Sequence, residues 1–88
     1  MLLSKVAAAQ LQNLERPLAK RVKSHLFLLE ENPFAPRSGA DIRQLESPGG
    51  PKFYRLRVGE YRAVYVVVEN EVRITEILHR KKAYRFLD

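Results

Sequence analysis

Arginine fills the polar slots of one short stretch, FYRLRVGEYRAVY, from Phe53 to Tyr65. Gly59-Glu60 has the form of a two-residue hairpin turn with glycine at the first central position, as a type II′ turn requires. That turn pairs Val58 with Tyr61 and Arg57 with Arg62, and sets Arg55 opposite Val64. Side chains alternate across a strand, so Arg55, Arg57 and Arg62 share one face. A guanidinium stays protonated and offers five donors in a planar fork, which suits it to phosphate. Like charges placed directly opposite cost stability. Arg57 against Arg62 is therefore a conflict that folding does not need, and such conflicts tend to mark function. The competing reading is a solubilising exposed face.

The elements that must position these residues follow from periodicity. Leu3, Ala7, Leu11 and Leu14 recur at helical spacing and predict an amphipathic helix from Ser4 to about Leu14. Pro17 suits the first turn of a second helix carrying the stripe Leu18, Val22, Leu26 and Leu29. Pro33 ends it near Glu31. The spacing predicts an antiparallel helical hairpin, then a short strand Asp41–Leu45 and three longer ones, Lys52–Val58, Tyr61–Val68 and Val72–His79, with Asn70 in the second turn. Helices before strands give an α+β class: a helical hairpin packed on a small antiparallel sheet, within a single domain spanning residues 1–88. The apolar side, Tyr54, Leu56, Val58, Ala63, Tyr65 and Val67, faces the helices. A tight second turn carries the third strand into the same frame, so Thr75, Ile77 and His79 join the arginine face, with His79 near Arg62. Phe53, Val64, Val66 and Ile77 would then add apolar area beside the arginines, the mark of an interface. Arg80, Lys81 and Lys82 follow at once, with Tyr84 close by.

The chain has 88 residues and a formal net charge of +6. That charge points to a polyanion: nucleic acid, an acidic protein or an anionic membrane surface. The chain contains no cysteine, which excludes a disulfide framework, a thiol nucleophile and a cysteine zinc site. No apolar run approaches the ~20 residues of a membrane span, and Met1-Leu2-Leu3 runs straight into Ser4 and Lys5, without a signal-peptide core. A cytoplasmic location fits these features. His25 and His79 lack companion ligands, so no metal or cofactor is expected. The helical run Arg16, Lys20, Arg21 and Lys23 reads as a solvated face. From the residues alone the result is a basic, partly aromatic cleft suited to nucleic acid, with no reaction assigned.

The segments IRQLESPGGPKFYRLRVGEYRAVY and ILHRKKAYRF, between Asp41 and Phe86, resemble the RelE/ParE toxin superfamily, on its RelE-like messenger RNA interferase branch. The shared pattern is Tyr-Arg-hydrophobic-Arg-hydrophobic-Gly-Asp/Glu-Tyr-Arg, then His-Arg with a tyrosine shortly after. The resemblance implies a β-α-α-β-β-β order with a short C-terminal helix or tail; the first strand is here reduced to Met1–Leu3. It implies the toxin of a type II toxin–antitoxin system: a ribosome-dependent, metal-independent endoribonuclease that cuts messenger RNA through its own 2′-hydroxyl. The implied catalytic residues are Arg55, Arg57, Arg62, Arg80 and Tyr84, with His79 as the side chain suited to act as a base. Lys52, Lys81 and Lys82 would bind RNA. The implied partners are a cognate antitoxin, the ribosome and messenger RNA, with no membrane and no small-molecule cofactor. A ParE-like inhibitor of DNA gyrase and a non-catalytic RNA- or protein-binding module are the alternatives.

Overall fold

The computed structural model describes residues 1–46 and 48–82 of the chain. Its elements are β1 (Leu2–Leu3), α1 (Lys5–Gln12), α2 (Arg16–Glu31), β2 (Asp41–Leu45), β3 (Phe53–Val58), β4 (Tyr61–Val68) and β5 (Glu71–His79). Ser4 caps α1: its hydroxyl accepts from the Ala7 amide at 2.9 Å, satisfying a donor that the helix start leaves open. Pro17 lies in the first turn of α2, where its missing N–H costs nothing. At the other end, the Leu28 carbonyl accepts both the Asn32 amide at 3.4 Å and the Arg37 guanidinium at 2.7 Å, which ties the following loop to the end of α2.

The five strands form one sheet in the order β1-β5-β4-β3-β2. The sheet is mixed rather than wholly antiparallel, because the short first strand runs parallel to β5 through Leu2–Arg73 and Leu3–Ile74. The helical hairpin covers one face. Ala7, Leu11, Val22, Leu26 and Leu29 pack there against Leu56, Val58, Ala63, Tyr65, Ile74 and Ile77. Tyr65 is fully buried and donates its hydroxyl to the Pro33 carbonyl at 2.6 Å.

Both tight turns carry the backbone signs expected of hairpins. Gly59 has φ +59°, while Glu69 and Asn70 have φ +51° and +65°, the double positive pattern of a type I′ turn. The β3–β4 register is the one the turn dictates, with Arg57 facing Arg62 and Arg55 facing Val64.

The β4–β5 register departs from expectation. Val64 pairs with Glu76 but Tyr65 pairs with Ile74, which leaves Thr75 as a bulge. One extra residue flips every side chain beyond it. Ile77 therefore joins the helix-side core opposite Ala63, and His79 lies opposite Tyr61 on that same side. Glu76 and Leu78 take the places on the arginine face. Val64, Glu76 and Leu78 are buried there, so that face is less open than the sequence suggests. Past the end of β1, the outer edge of β5 is held by side chains of the first helical segment: Ser4 Oγ donates to the Thr75 carbonyl at 2.7 Å, and Gln10 Oε1 accepts from the Ile77 amide at 2.6 Å.

Candidate active site

Arg57 and Arg62 stand face to face at the hairpin end of β3 and β4. Arg57 is exposed, and its Nε reaches the Gly59 carbonyl at 3.4 Å. Arg62 donates from Nη1 to the Arg80 carbonyl at 3.2 Å. Its Nε is buried and has no hydrogen-bond partner among the described residues. Neither arginine enters an ion pair among the described residues. An unmatched buried donor and two like charges in register are costs that an incoming anion would relieve.

Arg55 is differently placed. Its Nη1 meets Asp41 Oδ1 at 3.2 Å and the Asp41 carbonyl at 3.0 Å, and its side chain is only 12% exposed. Its charge is already matched and it ties β2 to β3. Arg80 sits where β5 leaves the sheet. Its amide donates to the Glu60 carbonyl at 2.7 Å, and its Nη2 lies 3.7 Å from Glu60 Oε1.

His79 does not stand beside Arg62 on the arginine face. The Thr75 bulge turns it to the helix side, edge-on to Tyr61 with ring centroids 5.3 Å apart. Both ring nitrogens are engaged. Nδ1 accepts from the Lys81 amide at 3.2 Å, which in the neutral ring places the proton on Nε2, 3.5 Å from Glu60 Oε2. That arrangement leaves no free lone pair for a general base. Lys81 and Lys82 are exposed beside Arg80. Lys52 lies five residues from Arg57, roughly 16 Å along the strand direction, and lines a separate groove with Phe34, Pro51 and Tyr54. Tyr84, and most of the tail helix expected near it, lie outside the described residues. Among the described residues no cluster of His, Asp or Glu could hold a metal ion.

The sequence reading missed two contributors. Glu60 serves as more than a turn residue, since its two carboxylate oxygens engage His79 and Arg80. Arg21 reaches from α2 to the same turn: a Cβ added to Gly59 would lie 3.3 Å from Arg21 Nη1. Nothing in the local sequence signals that reach.

Residues 1–84 match the family described as the ParE toxin of type II toxin–antitoxin systems, parDE. The chain belongs to this toxin family. Its membership agrees with the strand motif, and relatives named RelE place it in the wider RelE/ParE superfamily. The RelE1 protein of Methanocaldococcus jannaschii is 34% identical over 68 residues, 75% of this chain and 72% of that one. A RelE–RelB complex from Pyrococcus horikoshii contains a similar chain, with TM-score 0.75, 30% identity and coverage of 92% of this chain and 93% of that one. The RelB–RelE antitoxin–toxin complex from Methanococcus jannaschii shares the fold over 100% of both chains, with TM-score 0.74 and 24% identity.

Proposed function

We propose that this toxin cleaves messenger RNA on the ribosome. The observation that carries the reading is the Arg57–Arg62 pair, two cations in register that enter no ion pair among the described residues, one of them with a buried Nε–H that finds no partner among those residues. In this reaction the 2′-oxygen attacks the adjacent phosphorus. The bond to the 5′-oxygen breaks, leaving a 2′,3′-cyclic phosphate on one fragment and a 5′-hydroxyl on the other. Charge builds on the phosphorane oxygens, where guanidinium donors have most effect. Arg57 and Arg62 hold that charge, Arg80 with Lys81 and Lys82 binds the flanking backbone, and Tyr84 stacks on a base. Arg55 supports the strand that carries Arg57, and Lys52 contacts RNA farther along the track. With His79 turned away and both its nitrogens in use, the proton acceptor is a ribosomal group. The reaction belongs in the cytoplasm, where the ribosomes are.

A cognate antitoxin is the natural protein partner, by analogy with the RelE–RelB complexes. An acidic segment laid over Arg57 and Arg62 would block the site by occupying it.

The test is a purified translation system. Wild-type protein should cut messenger on ribosomes and yield cyclic phosphate and 5′-hydroxyl ends. Intact messenger at stoichiometric toxin would reject the reading. A second reading, inhibition of DNA gyrase without cleavage, is favoured by the ParE description of the matched family. Loss of gyrase supercoiling with messenger intact would establish it instead.

A further inference from the structure

We infer that Arg21 and Arg57 together form a second phosphodiester subsite, built across the tip of the β3–β4 turn from opposite sides of the sheet. The inference rests on the RNA-cleavage reading of the arginine rim and extends it to a residue on α2.

Two guanidinium groups converge on Gly59. Arg57 approaches from the outer face, with Nε 3.4 Å from the Gly59 carbonyl. Arg21 approaches from the helix side: Nη1, Cζ and Nη2 lie 3.3, 3.7 and 3.7 Å from where a Gly59 Cβ would stand. The group as a whole therefore rests against the turn, with Nη1 closer than most Cβ contacts allow. Neither arginine enters an ion pair among the described residues, and Glu60, the carboxylate next in sequence, is engaged by His79 and Arg80. Several arginines elsewhere are matched: Arg55 with Asp41, Arg73 with Glu71, and Arg37 with three carbonyls that hold the end of α2; Arg16 and Arg43 enter no ion pair among the described residues, but neither lies at this turn. Two unmatched cations at one turn repel each other. A phosphodiester straddling the tip of the turn, with one oxygen toward each guanidinium, offsets that repulsion and accepts from both forks. Placed beside the Arg57–Arg62 pair, this subsite would hold a phosphate next to the one being cut.

The decisive measurement follows the arginine Nε–Hε resonances of the full-length protein while a 2′-O-methyl oligoribonucleotide, which cannot be cut, is titrated in. Arg21 and Arg57 should shift together with one midpoint. Shifts of Arg57 and Arg62 with Arg21 unmoved would overturn the subsite and leave the reading of the rim intact. No shift in any of the three would overturn both. Arg21→Gln should weaken oligonucleotide binding about tenfold and reduce the salt slope by about one. Lys20→Gln removes the same charge one residue away and should have little effect; equal losses would overturn a specific contact. The source of the phosphodiester is read on ribosomes. A binding loss in Arg21→Gln only when messenger is loaded assigns the subsite to messenger, and a loss on empty ribosomes assigns it to ribosomal RNA. Wild-type binding in both states would overturn the inference.

Discussion

The arginines of the sheet separate by partner. Arg55 is matched by Asp41 and largely buried, whereas Arg57 and Arg62 face each other and enter no ion pair among the described residues. Sequence pattern alone made them equivalent, because all three occupy alternate strand positions. The difference depends on Asp41, which the β2–β3 register sets opposite Arg57 but whose carboxylate goes to Arg55. Two expectations follow. Arg62→Ala should lower cleavage by about 10²–10³, the usual effect of losing one contact to transition-state charge, with an unchanged circular dichroism spectrum. Arg57→Ala should leave stability unchanged or raise it by up to about 1 kcal/mol by relieving repulsion, while Arg55→Ala should lower it by about 1 kcal/mol; chemical denaturation checks both. Tyr65 supplies a pH-dependent counterpart. Burial, reinforced by Tyr54 and partly opposed by Arg37, pushes its phenol well above the ordinary tyrosine range. A folded-state pKa raised in this way contributes stability that is fully present below pH ~10 and declines as pH rises above it, by up to about 1.4 kcal/mol per pH unit. Tyr65→Phe should be less stable at neutral pH through loss of the bond to Pro33, yet show a shallower decline above pH ~10 in denaturation midpoints.

Among the elements, those with a strong local signal were legible. Helical periodicity with Ser4 and Pro17 marked α1 and α2, and Gly59 fixed the β3–β4 register, which is why the Arg57–Arg62 pairing could be read before any coordinates. The β5 strand was harder. In EVRITEILH the apolar residues fall at Val72 and Ile74, then at the adjacent pair Ile77 and Leu78. That pattern leaves open where the alternation slips, and the answer depends on tertiary partners. Thr75 bulges because Ser4 holds its carbonyl and its own hydroxyl donates to the Val64 carbonyl at 3.2 Å. The slip moved Ile77 into the core and His79 off the arginine face. Gln10 supports this region from outside the sheet, since it occupies the Ile77 amide. Gln10→Ala should cost about 1–3 kcal/mol by leaving that N–H without a partner, and hydrogen exchange at Ile77 should accelerate more than at Leu56.

At the scale of the whole molecule, the formal net charge of +6 called for an anionic partner but did not locate it. Folding brings residues far apart in sequence, Arg21, Arg57, Arg62 and Arg80, to one end of the sheet, where the proposed function places that partner. The reach of Arg21 was invisible in the chain because an exposed helical arginine looks the same whether or not a glycine turn lies beneath it. In the proposed reaction these cations stabilise the phosphorane formed when a messenger's own 2′-hydroxyl attacks. The most direct test is single-turnover cleavage on ribosomes programmed with two messengers, one all-ribose and one carrying a single 2′-deoxy nucleotide immediately before the scissile phosphate. A cut at that phosphate is expected in the all-ribose messenger, with a cyclic phosphate end, and none at that phosphate in the deoxy messenger. Equal cutting of both at that position would contradict the proposed reaction.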